Sequence, residues 1–562
     1  MGKRKISYLK WKEVLSNYWP LLVLFFVAIF ILRSLFLSGF PETHDGQNHL
    51  ARLANLKAAI ADGHFPFRWA PNLNYQFGYP VFNFNYYLPQ IMGLIPAKLG
   101  FSFEDSLKLV LGLSLIMGGV FWYLFLRESF GKIAALTAGL MYITAPYQLV
   151  NILVRGSVGE VVSAGILPGL LWSINRLINS FSRLWLGITT LFLIAFLLSH
   201  NIIVMIGMPF LIAFSLVEIW RKRKWGVLFW IGLVFILAIG ITQFFWLPAL
   251  LEKQYTNLDF VNLSQDYINH FPRFTQLIHS SWGHGFSKPG PIDGFSFELG
   301  PFHWLTVILA ISLFLFKKDF RKKKENYFLG IFFGLVFGLT ILFMNEITIP
   351  AWKLIPFLHY IQFPWRLLIF SILASAFFAG WLTKRFPFLG LGLSLGAVIY
   401  IIVIAQPKGR FNWDDFFYHA FPFNSSVLGE NMPKWFYQEK NLQLSGKIFD
   451  LGGISSIREI SWKTQYHEYE IRTPNEVTIA ERTAYFPGWE TYIDGERVEI
   501  DYQLPEYPGM ISFVVPEGKH KVETIFTENT PARRWGDAIS IISIIVLGII
   551  LLKNWGFHGK AK

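Results

Sequence analysis

Four separated stretches of this chain place ionisable residues beside apolar runs, and their types suit holding an anion and moving a proton. Asp45, His49 and Arg52 lie in PETHDGQNHLARLANLKAAIADGHFPFRW, Pro41 to Trp69. In a helix starting near Asp45 they stand at i, i+4 and i+7 and share one face. Arg155 and Glu160 follow, then His200, then Gln362 and Arg366. Arginine grips phosphate oxygens with a planar fork, and a carboxylate can take the proton of an attacking hydroxyl. Charges near a bilayer core cost about 2.5–3.5 kcal/mol each by insertion scales, so those retained there tend to be paired or functional. Trp69, Tyr75, Tyr79, Tyr86, Tyr87 and Trp365 suit stacking on sugar faces, and equally suit an interfacial aromatic belt.

Each residue also has a structural reading. Asp45 can be a helix N-cap, Arg155 and Glu160 an ion pair, His200 the cap of a tight turn, and Arg366 an interfacial anchor. His270, His279, His284 and His303 share one region, but their spacing matches no metal signature. No P-loop or dinucleotide motif has its required context.

The elements that must position these residues are membrane helices. Of 562 residues, 53% are hydrophobic, 18% aromatic and only 15% charged, well below the roughly 25% charge of soluble domains. Apolar runs near the spanning length of about 20 residues recur along the chain. The net charge of +13 comes from short basic clusters between these runs, which points to the positive-inside rule rather than nucleic acid. Cysteine is absent, which removes disulfides, thiol nucleophiles and Cys-ligated metals.

About twelve spans are expected, with both termini cytoplasmic: residues 18–37, 105–126, 132–147, 159–176, 183–198, 201–220, 225–248, 302–316, 326–344, 364–383, 387–405 and 535–552. The basic residues between Lys3 and Lys12 put the first start inside. Arg221 to Lys224 and Lys317 to Lys324 must be inside as well. That parity holds only if Asn83 to Gly100, short and interrupted by prolines, does not cross; it is expected to be re-entrant or juxtamembrane. Asp45 then lies outside, in a helix with an apolar stripe of Leu53, Leu56 and Ile60. Gly63 ends that helix and Pro66 prevents its continuation.

The domain organisation expected is a transmembrane domain over 1–405 with a first outer loop over 40–104, an extracytoplasmic β-rich domain over 406–534, and a C-terminal anchor over 535–562. Trp462 to Thr527 alternates in short strands and carries Asp494-Gly495, a two-residue hairpin signal. A small antiparallel β-sandwich is expected there. Asn412 to Asn441, aromatic and irregular, is expected to pack on the membrane domain.

HDGQNHLARL (His44 to Leu53), FPFRW (ending at Trp69), RGSVGE (Arg155 to Glu160), LLSHN (Leu197 to Asn201), WLPALLE (Trp246 to Glu252), FELG (Phe297 to Gly300) and IQFPWR (Ile361 to Arg366) form an ordered series. YFPGWETYIDGE (Tyr485 to Glu496) and VPEGKHKVE (Val515 to Glu523) extend it. The series resembles the GT-C superfamily of membrane glycosyltransferases, in particular its YfhO-like branch and the bacterial membrane proteins catalogued as 6-pyruvoyl-tetrahydropterin synthase-related. The resemblance implies a polytopic α-helical, GT-C-like membrane protein with the small extracytoplasmic β-sandwich near its C-terminus. It implies a polyprenyl-phosphate-linked sugar as donor, a glycan or lipid acceptor of the cell envelope, and transfer on the outer face of a bacterial plasma membrane, with inversion.

In that reading Asp45 is the general base and Glu160 the second catalytic acid. Arg155, Arg366, His200 and Arg52 hold the donor phosphate. His44, His49, Glu252, Glu298, Gln362 and Trp365 are candidate substrate contacts. Many relatives in the wider superfamily pair two acids in the first outer loop; here Asp45 stands between His44 and Gly46, which weakens the case for a bound divalent cation. The pterin label implies no pterin chemistry, since no zinc-binding histidine pattern is present. Two other functions fit parts of the pattern. A carrier of lipid-linked glycans would share the arginines and aromatics, but predicts ionisable residues at mid-depth and a two-fold repeat. A non-catalytic scaffold would display the β domain and need no Asp45. In the transferase reading that domain covers the site or grips the acceptor through aromatics near Trp489 that are expected to be exposed, and a purely structural sandwich fits it equally.

Overall fold

The computed structural model describes residues 18–258, 266–292, 294–316, 324–426, 428–437, 441 and 446–553. The basic clusters expected at residues 3–12 and 317–323 lie outside the described residues. Six helices among those described are long and apolar enough to cross a membrane: Phe103–Phe130, Val158–Asn179, Asn201–Lys222, Pro364–Arg385, Pro387–Ile404 and Pro531–Leu552. Three bent pairs raise this to nine: Lys132–Ile143 with Pro146–Arg155, Trp225–Ile241 with Gln243–Tyr255, and Tyr327–Phe343 with Glu346–Leu354. Shorter apolar helices at Tyr18–Ile31, Arg183–Leu197 and Pro301–Leu313 stand at the other three expected positions. The chain is a multi-pass membrane protein.

Local chemistry sets the ends of these helices. Ser102, Ser182 and Thr530 each accept the N–H three residues on, satisfying an otherwise orphaned donor. Burial sorts the helices into layers. Val158–Asn179 and Pro364–Arg385 are 89% and 94% buried over their apolar windows, whereas Pro531–Leu552 is 11% buried. The first two form the protein-packed centre; the last presents its apolar side chains to lipid.

Outside the bundle, Gly46–Ala61 is the expected juxtamembrane helix, ending before Gly63 at φ +80°. Leu88–Lys98 is an 11-residue helix packed beside it, too short to cross a bilayer. A two-residue ladder joins β1 (Phe40–Pro41) to β2 (Arg410–Phe411), so the segment after residue 405 returns to the first loop. There Glu104 accepts from the Trp413 backbone N–H and the Tyr418 hydroxyl, and Asp415 accepts from the Phe103 N–H.

The C-terminal region forms two antiparallel sheets. One runs β4 (Ser456–Lys463), β5 (Tyr466–Thr473), β10 (Gly518–Phe526), β7 (Trp489–Ile493), β8 (Glu496–Val498); the other runs β3 (Ile448–Asp450), β6 (Val477–Ala484), β9 (Met510–Val515). Ile493 pairs with Glu496 across Asp494-Gly495, both at positive φ, which is the primed turn that matches strand twist. Glu481 of β6 reaches across to His467 and Tyr469 of β5 and Thr524 of β10. Trp489, expected to be exposed, is buried against Trp69, His467 and Phe526. Its ring is enclosed by these three side chains and is not displayed to an acceptor.

Candidate functional site

The site is built where three backbone segments meet. Pro146 starts the second half of a bent helix pair, and that half closes in a π-turn, Asn151–Arg155, a feature frequent at functional sites. Gly156 then turns the chain at φ +64°. The segment that follows the first apolar helix pairs directly onto this turn: the N–H of His44 donates to the Val154 carbonyl at 3.0 Å and that of Asp45 to the Arg155 carbonyl at 2.9 Å. A Cβ on Gly156 would lie 2.4 Å from Thr43 Oγ1 and 3.0 Å from the Gly46 nitrogen, so only glycine permits this approach. Thr43 Oγ1 also accepts the Gly46 N–H, so the N-terminus of the helix is served by Thr43 and the Asp45 side chain does not cap it.

Glu160, fully buried, holds two arginines from different spans. Its Oε1 accepts from Arg155 Nη2 and from Arg366 Nε, each at 2.9 Å, and its Oε2 accepts from the Tyr147 hydroxyl at 2.9 Å. Arg155 is further fixed by Asn151 Oδ1 at 2.5 Å and Tyr147 at 3.2 Å, and lies 4.4 Å over the Trp365 ring. Arg366 Nη1 donates to the Ile361 carbonyl and to Gln362 Oε1. Among the described residues, Arg366 Nη2 and Arg155 Nε make no hydrogen bond, so each guanidinium keeps a donor for another anion.

The remaining predicted residues surround this pair. His49 meets Gln90 through Nδ1 and lies 6.3 Å from the Tyr86 ring, which packs 4.8 Å from His200. His200 Nδ1 accepts the Ile203 N–H and so caps its helix. Arg52 reaches Ser425 through Nε at 3.1 Å and also bonds its carbonyl. His44 stacks on Phe286 at 4.6 Å and bonds the His284 carbonyl, which draws the loop before residue 300 over the site. Trp365 lies stacked between Phe363 and Phe297.

Two predicted contacts belong to other groups. Glu252 is buried with Arg533 at 3.0 Å, Asn83 at 2.8 Å and Thr530 at 2.5 Å. Glu298 accepts from the Tyr400 hydroxyl and the Ser280 N–H.

Asp45 differs from every acid around it. Among the described residues its carboxylate makes no side-chain hydrogen bond or ion pair, although Arg155, Arg52 and His44 all act on it electrostatically. Desolvation outweighs the two arginines and raises its pKa above the ordinary carboxylate value, with Glu160 adding repulsion. Burial lowers the pKa of His44, opposed by its bond to His284, and lowers that of His49 well below the usual range, aided by Arg52 and His200. Both imidazoles are therefore neutral near pH 7. Arg52, Arg155 and Arg366 against Asp45 and Glu160 leave one positive charge in excess, which suits a bound phosphate.

The donor set does not fit a metal. Glu160 is fully engaged, Asp45 stands among arginines, and no group of three or more His, Asp or Glu among the described residues could hold an ion. The residues sequence reasoning missed are Tyr147 and Asn151. Their signal was present: with Arg155 they stand at successive i+4 steps, one face of one helix.

No family model and no curated protein matches the chain. Among solved structures, it is similar to the archaeal oligosaccharyltransferase AglB from Archaeoglobus fulgidus in complex with an inhibitory peptide and a dolichol-phosphate (TM-score 0.38, 14% identity, 71% of this chain and 57% of that one). It is similar to ArnT from Cupriavidus metallidurans in the apo state (TM-score 0.38, 14% identity, 74% and 68%), and to the Archaeoglobus fulgidus oligosaccharyltransferase in complex with Zn and sulfate (TM-score 0.34, 15% identity, 70% and 54%). The chain thus spans little more than half the length of the two oligosaccharyltransferase chains it matches.

Proposed function

We propose that this chain is a membrane glycosyltransferase of the GT-C kind, moving a sugar from a polyprenyl-phosphate donor to a cell-envelope acceptor outside a bacterial plasma membrane. The observation that carries this reading is the unpartnered Asp45 carboxylate, fixed by its own backbone against the Arg155 turn, beside two arginines that share Glu160 and keep spare donors. The ordered sequence motifs supply the substrate class.

The chemistry follows from the side chains. The donor phosphate binds Arg366 Nη2 and Arg155 Nε, and Arg52 adds its charge. An acceptor hydroxyl attacks the anomeric carbon as the carbon–oxygen bond to phosphate breaks. The hydroxyl proton passes to Asp45, and the arginines hold the negative charge gained by the departing phosphate. The raised pKa of Asp45 makes it a stronger base than an exposed carboxylate. Glu160 cannot serve as a second nucleophile while both oxygens are engaged, so a single displacement with inversion follows. Its role becomes counter-ion to the two arginines rather than catalytic acid.

The test is transfer of a radiolabelled sugar from polyprenyl phosphate in proteoliposomes, with Asp45→Asn and Arg366→Gln compared with the unchanged chain. Loss of transfer in both supports the reading. Movement of labelled lipid across the bilayer without a new glycosidic bond would replace it with the carrier.

A further inference from the structure

Beyond the outer end of the Gln243–Tyr255 half-span lies an aromatic cluster that the chemistry above does not use. Tyr485 and Tyr502 stack in parallel, 4.2 Å apart with planes 2° from each other. Trp435 packs on Tyr502 at 4.8 Å and on Tyr485 at 5.7 Å, and stacks on Tyr255 at 5.9 Å. Lys434 Nζ stands 5.3 Å from the Trp435 centroid. All four rings are partly exposed.

Backbone bonds fix the rings from separate segments. Lys434 N–H donates to the Tyr255 carbonyl, Tyr485 N–H to Gly509, Gly509 N–H to Tyr502, and Tyr437 N–H to Pro508. A Cβ on Gly509 would meet Phe436 at 2.3 Å, so glycine at φ +81° lets these strands close. The platform is built before any ligand arrives.

Its polar atoms are unspent. Among the described residues no hydrogen bond is made by the hydroxyls of Tyr255, Tyr485 and Tyr502 or by the indole N–H of Trp435. Glu499, Asp501 and Glu506, all in the adjoining chain, oppose docking on an anionic lipid surface. Partly exposed aromatic rings beside unpartnered donors and acceptors match a pyranose, which has an apolar C–H face and a rim of hydroxyls.

We infer that Tyr255, Trp435, Tyr485 and Tyr502 form a glycan-binding platform that holds pyranose rings of an oligosaccharide outside the membrane. This binding stands apart from the transfer chemistry and does not require Asp45. The experiment is calorimetric titration of the full chain in nanodiscs with three hexasaccharides: β-1,4-linked glucose, α-1,4-linked glucose and β-1,4-linked N-acetylglucosamine. At least one binds. Tyr502→Ala weakens that binding about five- to tenfold, the loss of one stacking surface. Tyr485→Phe, which keeps the ring and the fold, weakens it by a smaller factor. Asp45→Asn leaves it unchanged, so its outcome separates this platform from the transferase reading. Absence of binding to all three, or equal binding by Tyr502→Ala and Tyr485→Phe, overturns the inference.

Discussion

Glu160→Gln probes how the charged cluster is held. Glu160 is fully buried and serves Arg155, Arg366 and Tyr147 at once. The substitution keeps its shape and removes the carboxylate that, among the described residues, pairs with both guanidiniums. Stripping one partner from a buried ion pair costs about 3–5 kcal/mol. Glutamine retains one acceptor, but its amide N–H groups face arginine donors, so little of that cost is recovered. Against total stabilities of about 5–15 kcal/mol for ordinary domains, thermal unfolding in detergent should shift down by several degrees, with transfer reduced as the arginines separate. A companion variant carrying Glu160→Met, Arg155→Met and Arg366→Met removes all three charges; it should regain most of the midpoint and none of the activity. If Glu160→Gln melts with the unchanged chain while transfer disappears, Glu160 is a chemical group and the counter-ion assignment fails.

Three further outcomes follow from the same geometry. Because burial raises the Asp45 pKa, transfer should rise with pH through an interval above the ordinary carboxylate range, while the stability tied to protonated Asp45 falls over that interval; a pH–rate profile locates the limb. Burial lowers His64 to about 3, and it accepts the Arg68 N–H as a neutral ring; its stabilising share should be complete above pH 6.5 and drain away as pH falls toward 3, followed by unfolding midpoints across that range. Gly156→Ala should cost about 1–3 kcal/mol through its left-handed φ and the clash with Thr43, read as a lower midpoint with transfer lost.

The helices and the hairpin at Asp494-Gly495 were legible because apolar length and turn residues are local signals. So was the helix ending before Gly63. The first expected span was drawn too long, since the helix stops at Ile31 and residues 33–36 form a tighter turn. Partners were not legible. Glu252 and Glu298 carry the same charge as Glu160, yet Arg533 and Tyr400 claim them, and those pairings span 281 and 102 residues. Nothing at residue 160 announces that Arg366, 206 positions away, will share its carboxylate. Trp489 misled for a related reason: alternation shows that a strand has two faces, but not which face the second sheet covers.

The most direct measurement is a comparison of donor binding with single-turnover transfer in Asp45→Asn. The substitution leaves both backbone bonds to the Arg155 segment and all three arginines in place, so binding of the polyprenyl-phosphate sugar should match that of the unchanged chain. Transfer should fall about a hundredfold or more, the usual contribution of a general base. Full-rate transfer by folded Asp45→Asn, with donor binding intact, would contradict the account.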